Sequence, residues 1–286
     1  MFVPTPIQAS VQSEGFTLDP IFQELTLTDE QEITATISIT NDTQEPQEVA
    51  VHATDITQEQ LTGKLRFTDG FQGTYPYSLA PFIRFDKDRF VIPPQETELL
   101  EVTFENRETL KPGGHYAAVV VKPQVGITTQ KTTILPGLTS VFFVRKLGGV
   151  LIKHQLESLE GVSTFMIQLP ETIAATLINS GNSHLIPRGT VRVTGWNSRL
   201  LLQKVFNPNS SVLFPETTRM IVEQLQFQHQ PWLLEPLTLT LEYRDTTEST
   251  TISKSISGLY IHPILIISIL GGAGTSYWYW RKQIHV

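Results

Sequence analysis

The chain has 286 residues, 40% hydrophobic and 17% charged, with a formal net charge of −7. That hydrophobic share suffices for packed cores and excludes wholesale disorder, while the negative charge offers no footprint for nucleic acid. With no cysteine, disulfides, cysteine nucleophiles, thiolate zinc sites and iron–sulfur clusters are all excluded.

Residues 1–9 read like the end of a signal peptide: Met1-Phe2-Val3-Pro4-Thr5-Pro6-Ile7-Gln8-Ala9 puts small Ala9 at a cleavage position, although Ile7 breaks the usual small-residue pattern. Strand signals follow. Ile33, Ala35, Ile37 and Ile39 alternate with polar residues, a period of two that buries one sheet face, and Asn41-Asp42-Thr43 supplies a turn. Val49, Val51 and Ala53 continue the alternation, as do Leu100, Val102 and Phe104. Tyr116 to Val121 and Val141 to Val144 are further strand-like runs. Pro112-Gly113-Gly114 makes a tight corner, and Tyr116 beyond it is expected to tie its hydroxyl to an upstream backbone group.

A second set of strands follows Arg145-Lys146-Leu147-Gly148-Gly149. It comprises Val150 and Ile152, then Ser163 to Leu169, Ala174 to Ile178, Thr190 to Thr194, Leu200 to Val205, Met220 to Leu225 and Leu237 to Tyr243. Turns are expected at Asn179-Ser180-Gly181-Asn182, Asn207-Pro208-Asn209 and Arg244-Asp245-Thr246. Ser/Thr-rich residues 246–258 are expected to end this set.

Leu259 to Trp280 carries no formal charge; as a helix it would be about 33 Å long, enough for a bilayer core of about 30 Å. Tyr277 to Trp280 and then Arg281-Lys282 resemble an aromatic belt with a basic finish. The expected architecture is therefore all-β: two immunoglobulin-like β-sandwich domains, 10–146 and 147–257, followed by one C-terminal transmembrane helix and short basic tail, 258–286. Single-pass placement in the cell membrane, with the large N-terminal region outside, goes with it. Ser268, Gly272 and Ser276 share one helix face, a small-residue spacing that would suit homo-association of such helices.

Chemistry-bearing motifs are scarce. Leu169-Pro170-Glu171-Thr172 matches the start of a sortase signal, but Ile173 stands where glycine is needed and a long chain follows. The seven histidines show no paired metal-ligand spacing. Asp86 and Asp88 are interleaved with Lys87 and Arg89, which oppose a calcium cage. Neither a nucleophile elbow nor a phosphate loop occurs, so no catalytic residue, metal or cofactor is expected and the chain reads as a non-enzyme.

The segment Leu61 to Phe82 is long for a strand connection, broken by Gly63, Gly70, Gly73 and Pro76, and expected to be irregular. Its Phe67, Phe71, Tyr75, Tyr77 and Phe82 are the candidate partner-binding residues, or else a lid on the core.

Several stretches together, Phe16 to Pro20, Ser78 to Ile83, Phe90 to Thr97 and Pro112 to Tyr116, resemble the first domain of bacterial WxL-interacting proteins. That resemblance implies a signal peptide, two immunoglobulin-like domains, a membrane helix, and contacts with peptidoglycan or other surface proteins. Three functions follow: a membrane-anchored surface binding or scaffold protein; an envelope chaperone that adds a strand to partner subunits through an open sheet edge; and, least supported, an envelope hydrolase. A cytoplasmic-facing, tail-anchored binding protein is the topological alternative.

Overall fold

The computed structural model describes residues 11–13, 15–29, 31–68, 75–124, 137–246 and 250–284. Residues 1–9, where the leader-like stretch falls, lie outside them. The described chain is all-β apart from short 3-10 turns and one C-terminal helix. It divides into two compact units: Met1–Glu59 with Lys64–Lys153 and Ser180–His184, and Gln60–Gly63 with His154–Asn179 and Leu185–Val286.

The first unit contains β1 (Val11–Ser13), β2 (Phe16–Asp19), β3 (Phe22–Leu27), β4 (Glu32–Asn41), β5 (Gln47–Gln58), β6 (Leu65–Thr68), β7 (Ile83–Phe85), β8 (Arg89–Ile92), β9 (Thr97–Glu105), β10 (Gly113–Pro123) and β11 (Leu138–Lys146). One sheet runs β1-β2-β4-β9-β7, the other β3-β11-β10-β5-β6 with β8 also on β5. The chain passes from the first sheet to the second at Pro20, which has no N–H to continue a ladder. The alternation read in the sequence places Ala35, Ile37 and Ile39 of β4 inward, against Leu100, Val102 and Phe104 of β9 and Val119, Phe142 and Val144 of the facing sheet. Each fully buried aliphatic or aromatic side chain here contributes about 1.5–3 kcal/mol. Phe104 and Phe142, from opposite sheets, meet with ring centroids 5.0 Å apart.

The second unit contains β12 (His154–Glu160), β13 (Phe165–Met166), β14 (Thr172–Asn179), β15 (Pro187–Thr194), β16 (Leu200–Phe206), β17 (Thr218–Gln224), β18 (Leu234–Asp245), β19 (Ile252–Ile261) and helix α1 (Pro263–Ile284). Its sheets run β12-β14-β17 and β13-β19-β18-β15-β16. Ile173, Leu177, Val191, Leu202, Leu239 and Leu241 lie in its core. Val150 and Ile152 are not in a strand, and the expected strand over Ser163–Leu169 shrinks to the two residues of β13.

The expected membrane span is corrected here. Leu259, Tyr260 and Ile261 belong to β19, where they pair with β18, so the uncharged run is divided between strand and helix. The helical part, Pro263 to Trp280, is about 27 Å long, short of a bilayer core of about 30 Å. From Gly271 onward it is diluted by Gly, Thr, Ser, Tyr and Trp. No described helix is long and apolar enough to cross a membrane. The single-pass localisation and the membrane as partner fall with the span. Homo-association through a membrane helix loses its basis with the span; the hydroxyls of Ser268 and Ser276 donate to the carbonyls of Ile264 and Gly272, each at 2.8 Å.

Candidate functional site

A cavity of about 700 Å3 lies in the first unit between two segments, Tyr75–Phe82 and Arg107–Pro112. Asp55 builds the first wall. Its Oδ2 accepts the Ser78 hydroxyl at 2.6 Å, and its Oδ1 accepts the N–H groups of Leu79 and Ala80 at 2.9 and 2.8 Å. These bonds seat the 3-10 turn Ala80–Phe82 that leads into β7. Tyr116 adds a backbone bond from its N–H to the carbonyl of Tyr77 at 3.0 Å.

The second wall is a turn closed by the Leu110 N–H donating to the Arg107 carbonyl at 3.0 Å. Lys146 Nζ donates to the carbonyls of both residues, and Leu110 is buried beneath. Asn182 Nδ2 donates to the Pro112 carbonyl at 3.1 Å. His115, 2% exposed, joins the walls: its Nδ1 lies 3.2 Å from the Ser78 carbonyl and its Nε2 2.7 Å from that of Lys111. Burial pushes the imidazole pKa below the usual 6.5, against the opposing pull of those two carbonyls. A neutral ring has one N–H, and the shorter contact places it on Nε2.

Of the candidate partner-binding residues, three converge on this cavity. Tyr75 and Phe82 line it half-buried, and Tyr77 lines it at 8% exposure. The rings of Tyr75 and Tyr77 meet edge to face, 5.6 Å apart. Phe67 is elsewhere, 55% exposed on edge strand β6, and Phe71 lies outside the described residues. The segment is also less irregular than expected: Leu65–Thr68 pairs with β5, and Leu61 forms a parallel bridge to Arg219. An alternating run too short to stand out in sequence becomes a strand when β5 templates it.

A second polar cluster lies at the start of β10. The Tyr116 hydroxyl meets Nδ1 of His184, a later residue, at 3.2 Å. His184 Nε2 lies 3.1 Å from Glu24 Oε1, and Arg145 Nε donates to Ser183 Oγ at 3.1 Å. Burial drives the Tyr116 pKa well above 10, while the hydrogen bond from His184 and its charge, opposed by burial, lower that of Glu24. Sequence reasoning passed over Asp55, Arg107, Lys111, His115 and His184. Among the described residues no group of three or more His, Cys, Asp or Glu is placed to hold a metal ion.

No protein-family model matches the chain, and no curated protein matches it. Solved structures do. A chaperone–tip adhesin complex described as vital for activation of CFA/I fimbriae biogenesis matches at 10% identity and TM-score 0.47, covering 86% of this chain and 99% of that one. The class 5 fimbriae chaperone CfaA matches at 10% identity and TM-score 0.46, covering 84% and 98%. The E. coli chaperone DraB matches at 10% identity and TM-score 0.38, covering 85% and 96%. All three descriptions name chaperones, two of them in connection with fimbriae. The resemblance to WxL-interacting proteins is corrected accordingly. The turns that carried it are fold-determining and recur among unrelated sandwiches, and peptidoglycan or surface-protein contacts lose their basis with it.

Proposed function

We propose that the chain is an envelope chaperone that acts by strand addition, with both units immunoglobulin-like and no reaction of its own. The observation that carries this reading is an open flank on β11. This strand pairs with β10 along its whole length, from Leu138 to Lys146, but with β3 only from Val141 onward. The Val141 N–H points away from β10, to the carbonyl of Ile21 at 2.8 Å. In an antiparallel ladder this direction repeats at every second residue, so Thr139 also turns its N–H and C=O outward. No described strand lies there to receive them. An extended segment of a partner entering beside Leu138–Ser140 would continue the line of β3 and satisfy both groups, which is how β-augmentation gains its affinity.

The test mixes the purified chain with a fimbrial subunit diluted out of denaturant and follows light scattering and gel filtration. Suppressed aggregation with a stoichiometric complex is expected. Thr139→Pro deletes the outward N–H and leaves the β10 ladder intact, so it should abolish the complex while the melting temperature stays within a few degrees. Aggregation unchanged by the wild-type chain would overturn the reading.

A further inference from the structure

We infer that the groove between Tyr75–Phe82 and Arg107–Pro112 binds an acidic peptide segment of a partner polypeptide, one that sets Asp or Glu beside proline or aromatic residues. This rests on the strand-adding reading only for the polypeptide nature of the ligand.

The walls are rich in rings: Tyr75, Tyr77 and Phe82, with Pro76, Pro81 and Pro112 also lining the groove. Such surfaces suit pyrrolidine and aromatic side chains, which lose little conformational entropy on binding. The charged residues among those that line the groove are Arg107 and Lys111, with no carboxylate. Arg107 is paired with Glu105, whereas Lys111 is exposed and has no ion pair among the described residues. In a chain of net charge −7 this is a local reversal of sign, complementary to an anion.

The polar groups deeper in the groove are already engaged. Ser78 Oγ donates to Asp55, both donors and the carbonyl of the Asn182 amide are used within the fold, and His115 faces two carbonyls. A sugar chain, which needs many hydroxyl partners, finds few. A peptide that places its carboxylates on the cationic rim and its rings on the walls satisfies what the groove offers. At about 700 Å3 the space also lies within the usual range of about 300–1,000 Å3 for bound ligands.

The test uses a short fluorescein-labelled peptide alternating proline, glutamate and tyrosine, and the same peptide with glutamine for glutamate, read by fluorescence anisotropy. The glutamate peptide is expected to bind saturably and to weaken with added salt. Lys111→Glu and Arg107→Glu should each weaken it by about tenfold, since each reverses a charge on the rim. Tyr75→Ala should weaken it as well, with the far-ultraviolet circular dichroism unchanged. Absence of saturable binding, equal affinity for the glutamine peptide, or indifference to Lys111→Glu would each overturn the inference. So would full displacement by polygalacturonate at equivalent charge. Thr139→Pro separates the two ideas, since it should leave peptide binding intact. Peptide binding without any subunit complex would sink the chaperone reading alone, and the reverse would sink this inference alone.

Discussion

The hydroxyl of Tyr116 lies 3.2 Å from Nδ1 of His184, a buried contact between the first strand turn of β10 and the segment Ser180–His184. Burial keeps the phenol protonated, and Nε2 of the same imidazole lies 3.1 Å from Glu24 Oε1. Tyr116→Phe keeps the ring and its edge-to-face contact with Phe143, 5.0 Å away, but strips the partner from a buried nitrogen. An unsatisfied buried group costs about 1–3 kcal/mol. Calorimetry should therefore show the first unit melting several degrees lower, with no change in secondary structure.

Glu24 closes the same chain of bonds. The hydrogen bond from His184 and the charges of His184 and Arg145 hold its carboxyl below the usual 4.5, although burial pulls the other way. A depressed carboxylate contributes stability that is present above about 4.5 and is lost as pH falls through its lowered folded value. Glu24→Gln should flatten the acid limb of the stability curve in that window and leave the slope near neutrality alone. Urea midpoints measured from pH 3 to 7 check it; an acid limb as steep as the wild type would refute it.

His115 acts in the same direction, at higher pH. Its folded pKa lies below 6.5, so folded and unfolded chains are both neutral above that value and the group then adds no pH dependence. Below about 6.5 the unfolded chain takes up the proton first, and stability falls until the folded ring protonates too. Lys146 nearby lowers the folded pKa further and Asp55 raises it. His115→Gln should remove this component below about pH 6.5, seen as melting temperatures that fall less steeply with acidification than in the wild type.

The strands that enclose the core of the first unit were legible because alternation survives in residues such as Ile37, Ile39, Val102 and Phe104, where one face is simply apolar. What failed to show was decided by neighbours. Ile252, Ile256 and Tyr260 alternate with Ser253, Ser255 and Ser257, yet the Ser/Thr composition gave only the end of the second set and no strand of its own until β18 paired with it. The same pairing took Leu259 to Ile261 out of the supposed span. Tyr75, Tyr77 and Phe82 were identifiable as aromatics on a Pro/Gly-rich segment. Asp55 was not, because a carboxylate near the end of a strand looks like an exposed one until its three donors, all more than 20 residues away, are in place.

Gly114 tests the corner. A Cβ there would run into the Tyr116 hydroxyl and approach the His184 backbone N–H at 3.3 Å. Gly114→Ala should push Tyr116 off His184 and destabilise by an amount similar to Tyr116→Phe. The double variant should cost less than the sum of the two, because both act on one contact. Additive losses would argue that the glycine is needed for some other reason.

Asp55 offers the sharpest separation between building the groove and merely filling the core. Asp55→Ala would leave the Ser78 hydroxyl and the Leu79 and Ala80 N–H groups without their acceptor, two of these three residues being buried. At about 1–3 kcal/mol for each buried orphan, the loss should be about 3–5 kcal/mol, at the severe end for a single substitution. Asp55→Asn behaves differently. Its Oδ1 can still accept both N–H groups while its amide donates to the hydroxyl oxygen of Ser78, so most of the stability should return. Hydrogen exchange at Leu79 and Ala80 should be fast in the alanine variant and near wild type in the asparagine variant. Peptide binding should follow the same order, because the turn that carries Phe82 is seated by these bonds. Equal protection in all three proteins would mean that the wall holds its shape without Asp55.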